Sequence, residues 1–241
     1  MNRPGRAVAT IAIALAAASV PADEPWQAGT LVRAAYAAPT TRYPHGVLGD
    51  EVEYGALVLH YAQTPSPYTI RLPDSRVFED IAPRRVDVDG DGRDEAMVVE
   101  SHRDLGARLA LYDGGGLIAA TPYIGTRNRW LAPVGAADLD GDGHIEIAYI
   151  DRPHLAKTLR IWRFRDGRLT EIASLPGLTN HRIGWDHIPG GIRDCGHGPE
   201  IITADGTWHR IVASTLIGGS IETRTLGPYT GPDSINARLT C

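Results

Sequence analysis

Several residue types are scarce in this 241-residue chain, and each scarcity closes off an interpretation. Lysine occurs once, as Lys157, and the arginines form no basic run, so no phosphate-tracking surface is encoded and nucleic acid is not expected as a partner. Only two phenylalanines stand against 27 glycines and 17 prolines, a profile of many turns between short segments that favours β architecture over helical bundles. There are two cysteines, Cys195 and Cys241, and a chain of 26.0 kDa buries enough core to need neither disulfides nor zinc to fold. The nine histidines include no i,i+4 pair, and no GxSxG, HExxH or Walker pattern is present, so the familiar hydrolase, zinc-protease and nucleotidase signatures are absent. With 43% hydrophobic and 22% charged residues, the composition is that of a globular protein rather than a disordered one.

One apolar run stands out, at the N-terminus. Arg3 and Arg6 precede the 14-residue stretch Ala7–Val20, which ends in Val20-Pro21-Ala22 before Asp23 and Glu24. The run is short of the roughly 20 residues a membrane helix needs. Residues 1–22 are therefore expected to be a secretory signal peptide, cleaved after Ala22, leaving residues 23–241 as the mature domain with no membrane span. Removal of Arg3 and Arg6, with no acid lost, takes the net charge from −5 to −7. The expected destination is the periplasm or the medium. In that oxidising setting Cys195 and Cys241 are expected to pair, pinning the C-terminus.

The main signal is internal repetition. Residues 86–98 read VDVDGDGRDEAMV and 137–149 read ADLDGDGHIEIAY, with their first aspartates 51 residues apart. A degenerate copy follows at 193–204, RDCGHGPEIITA, and a fainter one precedes at 46–58. Around each copy the order is the same: an entering strand, a Gly-rich loop, a leaving strand, a third alternating strand, a hairpin turn and a fourth strand. The third strands fall at 108–112, 159–164 and 208–214. Pro- and Arg-containing links at 37–46, 72–83, 121–133 and 175–189 join the units. Four short strands per unit of about 50 residues predict an all-β fold, a small β-propeller of four recognisable four-stranded repeats. Strand-like segments at 30–37 and 235–240 are expected to share a fifth blade and close the ring.

In the DxDGDGxxE loops, acids stand at positions 1, 3, 5 and 9, and glycines at 4 and 6 permit a tight wrap. Four carboxylates brought that close repel unless a cation sits among them, and flexible oxygen coordination suits Ca²⁺ before Mg²⁺. One expected site is Asp87, Asp89, Asp91 and Glu95 with the carbonyl of Arg93; the other is Asp138, Asp140, Asp142 and Glu146 with the carbonyl of His144. An EF-hand needs a Glu at position 12 and flanking helices; here position 12 is Val98 or Tyr149, within strand-like segments. These loops resemble the DxDxDG loops of the FG-GAP/VCBS repeat family, which includes the integrin α-chain propellers. The resemblance implies a propeller whose acidic loops join the first two strands of a blade and bind Ca²⁺, here in two sites of structural rather than catalytic role.

The links are where a ligand face is expected, because loops on a propeller face carry function. Arg42, His45, Arg127, Arg129, Trp130, His181, Arg182 and Asp186 are the candidate residues, since arginines beside aromatics suit an anionic or sugar ligand. Asp151-Arg152-Pro153-His154 reads as a charged inter-strand loop. The expected function is that of an exported, calcium-binding, monomeric module, without catalytic residues, for a glycan, an anionic ligand or a protein partner. The alternative is a secreted hydrolase or lyase using His45, His181 or Asp186 as acid or base on the same face.

Overall fold

The computed structural model describes Met1 and residues 29–241, so the expected signal segment lies, apart from Met1, outside the described residues. Among the described residues the regular structure is antiparallel β apart from one short helix. A first unit holds β1 (Leu31–Thr40), β2 (Glu53–Tyr61), β3 (Tyr68–Arg71) and β4 (Arg76–Phe78). A second holds β5 (Arg84–Val86), β6 (Glu95–His102), β7 (Gly106–Asp113) and β8 (Gly116–Ala120). The third is β9 (Leu131–Ala137), β10 (Glu146–Asp151), β11 (Thr158–Arg165) and β12 (Arg168–Pro176). The fourth comprises β13 (Leu178–Thr179), β14 (Gly191–Asp194), β15 (Pro199–Asp205), β16 (Arg210–Ile217) and β17 (Ser220–Pro228), followed by the helix α1 (Pro232–Asn236). Among the described residues no helix is long and apolar enough to cross a membrane.

Units two, three and four each run as an up-and-down meander, in the expected strand order. Tight hairpins enforce it. Asp166 and Gly167 have φ of 50° and 70°, and Gly218 and Gly219 have 57° and 79°. Two consecutive residues with positive φ make the type I′ turns whose twist matches that of the paired strands.

The second strand of each meander is buried on both faces, and its alternation assigns each face to a different neighbour. On β6, Ala96 and Val98 join the core shared with β1 and β2, whereas Met97 and Val99 face the core shared with β9, β10 and β11. On β10, Ile147 and Tyr149 face back to unit two, while Ala148 and Ile150 face forward to Ile201, Val212 and Leu216 of unit four. The sheets therefore stack in sequence order. Each fully buried Leu, Ile or Val contributes roughly 1.5–3 kcal/mol over its exposed state.

Two expectations are corrected. The repeats are not four separate four-stranded sheets: Phe78 of β4 pairs with Tyr54 of β2 and with Glu100 of β6, fusing units one and two into one curled eight-stranded sheet. Unit four carries five strands. Nor do residues 235–240 form a strand. Pro232 opens α1, where its missing N–H and fixed φ suit a helix start. The helix lays the fully buried Ile235 on Ile202, Ala204, Ile211 and Ala213, capping the outer face of unit four. The two chain ends therefore share no blade, and β1 pairs with β2.

A disulfide joins Cys195, just after β14, to Cys241. The closed loop spans 46 residues, which in the chain-entropy picture stabilises by about 4 kcal/mol. Replacing Ile235 with Ala is expected to lower the unfolding free energy by about 2–4 kcal/mol through loss of this cap. Urea denaturation measures it, and a change within about 0.5 kcal/mol would show that α1 is not holding the last sheet.

Candidate functional site: two acidic loops and a pocket lined by the links

In a meander, alternate connections return to the same end of the strands. The acidic loops (first to second strand) and the tight hairpins (third to fourth) thus share one end. The links and the second-to-third-strand loops share the other. Two chemically different faces result.

On the acidic face the two loops have one geometry. The Asp87 carboxylate accepts the N–H groups of Gly90, Asp91 and Gly92 at 2.9, 3.1 and 2.9 Å. Asp138 accepts those of Gly141, Asp142 and Gly143 at 2.8, 3.1 and 2.9 Å. Gly90 and Gly141, with φ of 76° and 77°, make the reversal that aims these donors inward. Glu95 closes its loop by accepting the N–H of Val88 at 3.0 Å, and Glu146 accepts that of Leu139 at 2.8 Å. Carboxylate oxygens of Asp87, Asp89 and Glu95 lie within 4.8 Å of one another, as do those of Asp138, Asp140 and Glu146. This all-oxygen donor set fits a hard divalent cation. Asp91 is instead drawn to the Arg93 guanidinium, and Asp142 to Arg163 at 2.8 Å.

The loops differ in how their charge is met. Burial pushes the Glu95 carboxyl up to about 7, and the charges of Asp89, Asp91 and Asp87 push the same way. Burial also raises Glu146, but there the Arg163 guanidinium pulls back. In the degenerate loop Asp194 still accepts the N–H groups of Gly196 and Gly198. Burial would raise its Glu200, yet Arg193 and Arg224 hold that carboxyl below the ordinary range. At the faint first copy, Glu53 is buried and pushed up to about 9 by desolvation and by Glu79, Asp50 and Asp80.

On the opposite face a cavity of about 440 Å³ is lined by His45, Val47, Asn128, Arg129, Trp130, Arg152, His154, Leu155 and Ile183. Behind it Glu79 is fully buried. Its carboxylate lies 2.5 Å from His45 Nδ1 and accepts the Ser101 hydroxyl, while its carbonyl accepts Trp130 Nε1–H at 2.9 Å. His154 Nε2 stands 3.0 Å from His181 Nδ1, and His181 Nε2 stands 3.0 Å from the Trp185 carbonyl. A carbonyl only accepts, so His181 carries its proton on Nε2 and accepts His154 Nε2–H on Nδ1. That leaves His154 Nδ1 as an open acceptor. Desolvation holds both rings neutral, lowering each to about 4.

From this pocket aromatic rings continue outward. His181 meets Trp130 at 4.9 Å and Trp185 at 6.2 Å; Trp185 meets Trp208 at 5.4 Å, and Trp208 meets Tyr229 at 4.9 Å between centroids. Arg182 lies over the rings of Trp185 and Trp208, at 5.8 and 4.7 Å.

Of the expected ligand residues, His45, Arg129 and Trp130 line the pocket, His181 backs it, and Arg182 joins the aromatic row. Arg42, Arg127 and Asp186 are not part of the lining. Arg42 is held on the carbonyls of Arg76 and Pro73, while Asp186 is exposed and pairs with His187. Arg152 and His154 correct the reading of 151–154 as an inter-strand loop and no more. The segment does join β10 to β11, and two of its residues enter the pocket. The parity of the meander puts that loop on the link face, a signal the strand order already contained. Glu79 lies in the link at 72–83 but is not among the candidate ligand residues, and Ser101 stands in no recognisable pattern.

Residues 87–149 match the family model of the FG-GAP-like repeat. This stretch is similar to an FG-GAP-like repeat. The match starts at the first loop aspartate and takes in both acidic loops with the strands between them. No curated protein matches the chain.

The pocket histidines yield a pH dependence. Their folded-state values lie below the 6.5 of an ordinary imidazole, so the folded state refuses protons that the unfolded chain accepts. The contribution of these two rings to stability is therefore expected to be full above about pH 6.5 and to fall as the pH drops towards 4. His181→Asn should flatten the curve of unfolding free energy against pH in that window; a variant curve parallel to the parent's would overturn the assignment.

Proposed function

We propose that this protein is an exported, non-catalytic binding module of β-propeller type, acting as a monomer. In this reading the stacked units are its blades, Ca²⁺ at the acidic loops braces it, and the link face takes the ligand. The observation that carries the binding role is the convergence of three links and one inter-strand loop on a pocket that combines Arg129, Arg152, His154 and Trp130. The row of half-exposed aromatic rings beyond it supports an acidic glycan as the ligand: flat sugar faces stack on Trp185 and Trp208, and guanidinium groups meet carboxylates. The disulfide is compatible with an oxidising destination.

The FG-GAP-like match and the two carboxylate triads support the calcium reading. Asp87, Asp89 and Glu95 would hold one ion, with Asp91 and the Arg93 carbonyl completing the shell; Asp138, Asp140, Asp142, Glu146 and the His144 carbonyl are the corresponding set. The ion's part is mechanical, to neutralise a crowded loop and fix the first-to-second strand connection. A site held at 100 times its Kd stabilises by about 2.7 kcal/mol. For a chain of this size, chelation should lower the Tm by roughly 5–10 °C per filled site. No shift, together with no bound metal, would remove the calcium reading.

One observation favours the hydrolase or lyase alternative: His45 stands in the pocket with its Nδ1 on the buried Glu79, the arrangement that orients an imidazole as acid or base. Titration with an oligogalacturonate, with its neutral galactan counterpart as control, separates the readings. Binding without cleavage, quenching tryptophan fluorescence and lost in Trp185→Ala, is the expected result. Shortened oligomers whose formation stops in His45→Gln would establish the enzyme instead.

A further inference from the structure

The two acidic loops have equivalent sequences but unequal surroundings, and the difference lies one strand away. Arg163 of β11 is paired in register with Glu146 of β10. Its guanidinium gives Nε to Glu146 at 2.6 Å, Nη2 to Asp140 at 2.6 Å and Nη1 to Asp142 at 2.8 Å. One fixed cation thus reaches three of the four carboxylates that an ion would gather.

Unit two offers the reverse. Its β6–β7 pairing ends at Ala96 opposite Tyr112, with Glu95 and Asp113 the next residues of the two strands. An acid stands where unit three has an arginine. Arg93 engages Asp91 there, and among the described residues Asp87, Asp89 and Glu95 form no ion pair with an arginine. The degenerate loop of unit four completes the series. Its central acids are gone, and Arg193 and Arg224 neutralise the one remaining strand glutamate, Glu200. The chain thus contains, in unit four, a working example of arginine in the place of an ion.

We propose that Arg163 is the built-in counter-ion of the 138–146 loop, so that this loop closes without metal and the protein holds one divalent ion tightly, at 87–95. A guanidinium and a divalent cation cannot share Asp140 and Glu146 without strong like-charge repulsion, so an ion entering this loop must first displace the side chain. This rests on the calcium reading for the loop at 87–95.

Calcium titration calorimetry and metal counting on the chelator-treated full chain test it. The parent is expected to bind one ion tightly. Asp89→Asn should abolish that event, and Asp140→Asn should leave it unchanged. Arg163→Gln should add a second ion, or strengthen a weak second event at least tenfold. It should also lower the Tm in chelator, with recovery on adding calcium. Two ions of equal affinity in the parent, with Arg163→Gln changing neither, would overturn the role of Arg163 and leave the calcium reading standing. No ion in the parent or any variant would remove both. Should Arg163→Gln fail to fold, the Asp89→Asn and Asp140→Asn pair still decides which loop holds the tight ion.

Discussion

Burial of the second strand of each meander on both faces is the constraint on which the rest of this structure depends. Ala96, Met97, Val98 and Val99, and again Ile147, Ala148, Tyr149 and Ile150, leave no face of β6 or β10 for water. A sheet with two apolar faces is stable only between two neighbours. Each unit therefore requires the next, and the last requires something other than a sheet. Helix α1 supplies it, with Ile235 against the outer face of unit four and the disulfide holding the end of the chain beside β14.

Stacking also divides the molecule chemically. Because each unit is a meander, the turns that bring acids together and the links that bring aromatics together lie at opposite ends of the strands. On the acidic end the problem is repulsion between carboxylates, and the three loops meet it differently. In unit two no arginine among the described residues pairs with the Asp87, Asp89 and Glu95 triad, unit three inserts Arg163, and unit four discards the central acids and clamps Glu200 between Arg193 and Arg224. The first two loops share one backbone geometry, and in the shorter third loop Asp194 still accepts N–H groups of two glycines.

The link end is governed by desolvation. Glu79 is buried with His45 and Ser101 as partners, and the neutral His154–His181 pair is anchored on a backbone carbonyl. Polar groups so enclosed keep single tautomers and fixed orientations, which is what recognition of a specific ligand requires. The same rigidity serves acid–base chemistry, which is why His45 supports both functional readings.

The sequence by itself determined the all-β class, the strand order and the positions of the third strands in three units, the presence of a hairpin after each and the acid pattern of both loops. These follow from local periodicity and from glycine placement, which need no knowledge of distant contacts. The pairing of Cys195 with Cys241 was also readable, from their number. Tertiary structure alone decided the fusion of units one and two through Phe78, since a three-residue strand carries too little pattern to show which sheets it joins. It decided as well that 235–240 begins within α1 and continues as turns: Ile235 and Leu239 alternate poorly, and it is the apolar face left on unit four that selects their conformation. Only the fold brought Arg163 to Asp140 and Glu146, and Glu79 to His45. Charge pairing across strands depends on register, and register is set by the burial of every residue in the strand rather than by the charged residue itself.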